Sequence, residues 1–136
     1  MLGEKIGSIS GPATNKVLSA EGSLPKFSTS TEGVGTLAGA EVQSMATYSS
    51  SMRADGTLYG ECPNQGVIMT QDGVATFRAT GMCTFTADGG SNFRGACYFQ
   101  ATATAPSLSS LNGVCCVYHF DVDAEGNATW DIWEWN

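Results

Sequence analysis

One histidine, five cysteines and a few acids and arginines are the side chains here with types suited to chemistry. A lone imidazole titrates near neutral pH and can act as a general base. His119 falls on one strand face with Cys115, Val117 and Asp121, opposite Cys116, Tyr118 and Phe120. A base needs a positioned partner, and the sequence identifies none. His119 therefore reads as a strand histidine, hydrogen-bonded at a surface or a barrel rim. Cys115 shares its face but lies four residues away, roughly 13 Å along an extended strand. That separation excludes a direct thiol–imidazole dyad.

The cysteines are Cys62, Cys83, Cys97, Cys115 and Cys116. Zinc sites recruit close pairs such as Cys-x-x-Cys. The close pair here, Cys115-Cys116, is adjacent in a strand, so its thiols point to opposite faces. Cys83, Cys97 and one of that pair can still meet across neighbouring strands. The favoured reading is a set of buried free thiols acting as small apolar fillers, with no metal and no cofactor. An odd count with no signal-like leader fits a reducing compartment and a cytoplasmic location.

Arg53, Arg78 and Arg94 are candidates for an anionic head group, but Arg78 and Arg94 fall on polar strand faces and read as solvated. Glu61 and Glu134 are candidate lumenal acids, since a carboxyl in an apolar cavity holds a raised pKa; rim positions are the simpler reading. An isomerase would need Glu61, Tyr59 or His119 to project into a cavity. Tyr48, Tyr59, Tyr98, Trp130, Trp133 and Trp135 can line a pocket or an interface.

The elements that must position these residues are strands. Three Asp-Gly pairs, Asp55-Gly56, Asp72-Gly73 and Asp88-Gly89, sit between runs of alternating apolar and polar residues. Asp-Gly adopts the positive-φ geometry of hairpin turns. Extended segments are expected at 5–10, 26–37, 41–52, 74–86, 92–103, 114–122 and 127–135, with a loop over 11–24. Residues 57–70 are interrupted by Pro63, which marks an edge, a bulge or a turn. One bulged strand there gives eight strands in total; a break gives nine. Ser107 is placed to cap a single helical turn within 105–112, ended by Gly113.

The segment 74–86 alternates Phe77, Ala79, Gly81, Cys83 and Phe85 with Arg78, Thr80, Met82 and Thr84. The segment 92–103 repeats the pattern, with Phe93, Gly95, Cys97, Phe99 and Ala101 on one side. Large rings separated by small residues suit the tapered interior of a small barrel. The expectation is all-β: one domain over 1–136, closed into an antiparallel barrel of about eight strands with one short helical turn. Phe77, Phe85, Phe93, Phe99, Cys83 and Cys97 would line its lumen.

Composition agrees. Hydrophobic residues make up 42% and charged residues 14%, with serine, threonine and glycine filling the difference. The net charge of −7 leaves no basic patch, which argues against nucleic-acid binding. No stretch approaches the roughly 20 apolar residues of a membrane helix. In the last strand Trp130 lies on one side and Trp133 and Trp135 on the other. Both faces are heavy, so the outer one needs cover from a loop, the N-terminal arm or another subunit; a homo-oligomer is expected.

Leu58-Tyr59-Gly60, Met69-Thr70-Gln71-Asp72-Gly73, Phe93-Arg94-Gly95 and Leu108-Ser109-Ser110-Leu111-Asn112-Gly113 together resemble the barrels related to allene oxide cyclase, in particular their uncharacterised bacterial branch. The resemblance runs from Leu58 to Phe120, about half of the chain, and is mostly turn chemistry. It implies an eight-stranded barrel with an apolar cavity, often oligomeric. The plant enzymes cyclise a fatty-acid epoxide there, but their catalytic residues find no match in this chain. The expected function is a barrel binding a small apolar or amphipathic ligand; the alternatives are a lipid-directed isomerase or cyclase and a structural module.

Overall fold

The computed structural model describes residues 2–136. Eight antiparallel strands follow in chain order: β1 Leu2–Glu21, β2 Leu24–Leu37, β3 Ala40–Met52, β4 Leu58–Thr70, β5 Gly73–Phe85, β6 Ser91–Ala101, β7 Cys116–Val122 and β8 Asn127–Trp135. Each pairs with its neighbours in sequence, and β8 pairs back onto β1, closing the barrel. Each Asp-Gly pair lies at a turn. Gly56 and Gly89 have φ of 88° and 94°, a region that favours glycine. The aspartates brace these corners: Asp55 accepts from the Thr57 backbone N–H at 3.0 Å, and Asp88 from the Thr86 hydroxyl.

Two expectations change. The loop expected over 11–24 is instead strand, because β1 runs unbroken to Glu21. Its turn formers serve the barrel's curvature. A side chain on Gly11 would stand 1.8 Å from the Glu32 carbonyl oxygen, so only glycine permits this close crossing. Pro12 adjoins it in the stretch where β1–β2 pairing lapses, between Ser10↔Val34 and Ala13↔Thr31, so its missing N–H breaks no ladder bond. The second change concerns Ser107. The 3₁₀ segment Pro106–Leu111 has Ala105 at its cap position, with no side-chain cap. Ser107 instead donates its N–H (3.0 Å) and hydroxyl (2.8 Å) to Asp72, tying the segment to the β4–β5 turn.

Pro63 sits in a bulge within one strand, which settles the count at eight. Cys62 pairs with Ala79 and Gly66 with Phe77, so β4 carries two extra residues against β5. Asn64, with φ of 61°, accommodates the kink.

The barrel has two unlike ends. Ala105, Leu108 and Leu111 of the 3₁₀ connection are buried and plug the end near the β4–β5 turn. The other end carries the turns 22–23, 53–57, 86–90 and 123–126, and among the described residues none of these turns buries a side chain in the lumen. There β1 and β2 stay paired to Glu21↔Leu24, while β1–β8 pairing stops at Pro12↔Asn127, so this hairpin stands above the rim as a wall.

Glycines on the inner faces make room for the rings. Gly66 lies under Phe77, Gly60 under Phe93 and Gly81 under the Tyr118 hydroxyl, where an added methyl would stand 2.2, 2.6 and 2.5 Å from those groups. The Tyr118 hydroxyl donates to the Thr80 carbonyl at 3.1 Å.

Candidate functional site

Strand alternation sends alternate residues of each strand inward. On adjacent strands the register then lines up Asn15, Thr29 and Tyr48 in one row across β1, β2 and β3. The Thr29 hydroxyl donates to Asn15 Oδ1 at 2.7 Å and stands beside the Tyr48 phenol, whose ionisation it favours. The row stops at Tyr48, because β3–β4 pairing lapses between Ala46 and Ser49, opposite the β4 bulge. The result is a polar band on the inner wall at the unplugged end.

That band faces a mouth chamber of about 110 Å³. Its apolar lining comes from Phe27, Leu58, Phe85, Phe93 and Val122; Ser50, Ser91 and Cys83 complete it with the polar row. Deeper in the lumen lies an inner chamber of about 60 Å³, bordered by Phe77, Tyr118, Phe120 and Trp130. Tyr48 and Phe93 border both chambers. Beyond the inner chamber the lumen is packed: Trp130 lies 4.9 Å from Phe77 and 5.9 Å from Phe99, centroid to centroid.

Burial decides the protonation of the groups in this interior. Desolvation pushes the Tyr48 phenol up to about 12, against a lowering hydrogen bond from Thr29. Tyr118 is raised for the same reason. The thiols of Cys62 and Cys83 are also raised by burial, with weaker opposing hydrogen bonds. These groups are therefore neutral near pH 7 and offer hydrogen bonds rather than a nucleophile or a general base.

The sequence candidates divide between the two faces of the wall. Phe77, Phe93, Phe99, Cys83 and Cys97 are buried inward. Phe93 and Cys83 border the mouth, Phe77 the inner chamber, and Phe99 packs behind Trp130. Phe85 departs from a lumenal position: it is the last residue of β5 and 56% exposed, so it forms rim rather than interior.

Tyr59, Glu61 and His119 alternate with buried neighbours and lie at outward positions. Tyr59 carries Arg53 over its ring at 5.9 Å, and Glu61 is exposed although it borders the inner chamber near the bulge. His119 sits on the outer wall between Arg94 and Asp131 in register, with its ring 4.8 Å from Trp133. Asp131 is engaged by Ser8 at 2.7 Å and Lys5 at 3.0 Å, and Arg94 pairs with Asp121 at 2.6 Å. Lys5 and His119 thus cover Trp133 from within the chain, while Trp135 stays 52% exposed. Arg78 is exposed. Among the described residues no three His, Cys, Asp or Glu side chains gather to hold a metal.

Sequence reasoning missed Asn15, Thr29 and Ser50 at the mouth. Their signal was faint, because serine and threonine occupy both faces of β2 and β3 and flatten the alternation. Tyr48, between Ala46 and Ser50 at alternate positions of β3, was the readable clue.

No protein-family model matches the chain, and no curated protein is significantly similar to it. Solved structures do share its architecture. A conserved protein of unknown function from Rhodopseudomonas palustris superposes with a TM-score of 0.79 at 14% identity, covering 98% of this chain and 97% of that one. A protein of unknown function from Clostridium acetobutylicum gives 0.76 at 14% identity, with 96% of each chain covered. A protein described as beta-barrel like, from Acinetobacter baumannii, gives 0.77 at 13% identity over 98% of this chain and 94% of that one. What these likenesses establish is the fold: the chain is a small closed β-barrel of the same architecture as these bacterial proteins.

Proposed function

We propose that the barrel binds a small, largely apolar molecule at its mouth, with one polar group turned toward the Asn15–Thr29–Tyr48 row. The observation that carries this reading is the mixed lining of the mouth chamber, in which the rings and aliphatic groups of Phe27, Leu58, Phe85, Phe93 and Val122 stand beside the Asn15 amide and the Thr29, Tyr48 and Ser50 hydroxyls. Small-molecule sites commonly combine apolar walls with a few placed polar groups.

Size narrows the guest. An apolar cavity of about 150 Å³ takes a benzene ring, and the mouth chamber is about 110 Å³. Sites for larger ligands run from about 300 Å³ upward. The resemblance to allene oxide cyclase barrels thus extends, in this reading, to an antiparallel barrel with an apolar interior. A lipid-sized substrate finds too little room, and the interior phenols and thiols are neutral, so binding is preferred over cyclisation.

Titration with benzyl alcohol and 1-hexanol, followed by NMR at Tyr48, Phe93 and Ser50, tests the reading. Saturable shifts at the mouth, weakened about tenfold or more by filling it with Leu58→Trp, are expected. Absence of any saturable shift up to the solubility limit of both probes rejects it.

A further inference from the structure

Cys97 on β6 and Cys116 on β7 are direct cross-strand partners. The carbonyl of Cys115 accepts from Trp135 on β8. The backbone groups of Cys116, one residue on, therefore face β6, which makes the cysteine pair a hydrogen-bonded one. Such partners have Cα atoms about 5.5 Å apart, inside the range of about 4.4–6.8 Å that a disulfide spans, and their Cβ atoms, up to about 5.5 Å apart, close by about 1 Å when the bridge forms. Both side chains point inward and both residues are 0% exposed. The two thiols face each other, and each shifts the other: Cys116 is held below the usual thiol value, and Cys97 is raised by Cys116 and by burial.

No other thiol competes for either. Cys115 lies on the outer side, against Tyr98. Cys62 shares the row, but Ala79 of β5 stands between it and Cys97, two strand spacings or roughly 10 Å. Cys83 lies further along β5, opposite Phe93.

We propose that Cys97 and Cys116 are a redox modification site, joined into a reversible disulfide by hydrogen peroxide. The burial of both sulfurs excludes bulky disulfide reagents, so the oxidant is a small peroxide. It enters by local opening at Cys116, the first residue of β7, whose neighbour Cys115 is only half-buried. The Cys116 sulfur, losing its proton, attacks one peroxide oxygen. The O–O bond breaks, water leaves with that proton, and Cys116 becomes a sulfenic acid. The Cys97 sulfur then attacks the Cys116 sulfur. The S–O bond breaks, and the hydroxyl departs with the Cys97 proton as a second water. Two thiols are oxidised and one peroxide is reduced. The bridge closes the loop that contains the 3₁₀ plug, Pro106–Leu111, and so staples that end of the barrel.

The folded protein is treated with dilute hydrogen peroxide, quenched, and alkylated under denaturing conditions. The expected product has lost two hydrogens and takes up three alkyl groups, against five for the untreated chain with its five free cysteines. Peptide mapping should join Cys97 to Cys116, and Tm should rise by about 5 °C or more and fall back on reduction. Cys115→Ser should keep the bridge; Cys116→Ser should lose it. Five alkylations after peroxide, a bridge through Cys115, or accumulation of sulfinic acid in place of the bridge would overturn the proposal. The wild-type result is decisive even where a variant fails to fold.

Discussion

Tyr48 meets Phe93 edge-on, with ring centroids 5.5 Å apart and planes at 79°, and the two rings together divide the lumen into its mouth and inner chambers. Tyr48 also meets Phe120 at 5.8 Å, so one side chain from β3 touches rings on β6 and β7. Tyr48→Ala removes the divider and merges the chambers. We expect a loss of about 3–5 kcal/mol, read from urea unfolding, in line with large-to-small changes of buried rings. The variant should also admit benzene or xenon to the inner chamber, beyond the mouth that the parent offers. Tyr48→Phe keeps the ring and should cost far less.

The same tyrosine shapes the alkaline limit of stability. Its folded-state value is about 12, above the ordinary phenol value of 10.0. The folded chain therefore holds this proton more tightly, and the contribution is complete below about pH 10 and lost as pH rises toward 12. Tyrosinate absorbance should show late ionisation that loses the share of Tyr48 in Tyr48→Phe and keeps that of the likewise raised Tyr118. Full ionisation of all tyrosines near pH 10 in the folded protein contradicts this.

Three glycine substitutions should fall in order. A methyl on Gly95 would stand 1.9 Å from the Thr80 carbonyl oxygen and 2.6 Å from the Gly81 Cα, so β5 itself must move. On Gly66 the obstacle is the Phe77 ring at 2.2 Å, which must shift within a packed interior, at about 1–3 kcal/mol. Gly22 has open space but φ of 64°, a backbone strain of about 1–2 kcal/mol for alanine. Denaturant midpoints should rank Gly95→Ala lowest, then Gly66→Ala, then Gly22→Ala.

Acid should weaken the outer seam between β1 and β8. Burial acts to raise Asp131, but the Ser8 hydrogen bond and Lys5, with His119 adding, outweigh it and hold the carboxyl below its usual value. Its unfolded value is about 3.9, so this stabilisation is complete above about pH 4 and fades as pH falls through the lower folded value. Asp131→Asn should be less stable than the parent near neutrality, and the difference should shrink with acidification. A difference that stays constant with pH would falsify this assignment.

Asp72 links the β4–β5 turn to the plug through Ser107. Replacing it with alanine should speed amide hydrogen exchange at Leu108 and across the 3₁₀ segment, while β3 and β6 stay as protected as before. Uniformly faster exchange throughout the barrel would mean that the plug has no separate anchorage.

The sequence by itself settled the strand count to eight or nine, the three Asp-Gly corners and, Phe85 apart, the inward faces of β5 and β6. In each case the signal is local: turn residues with positive φ, or alternation strong enough to read within one strand. The β1 tail was illegible because Gly11, Pro12 and Asn15 look like loop formers. Only the curvature against β2, with the Glu32 carbonyl pressed on Gly11, makes them strand residues. The candidate site was decided by register. Asn15, Thr29 and Tyr48 are far apart in sequence and carry no motif, yet pairing across three strands puts them in one row. Register also set Cys97 against Cys116 and left His119 outside. Period-2 alternation sorts the two faces of a strand, but the relative slide of neighbouring strands is fixed by turns, bulges and barrel closure acting together.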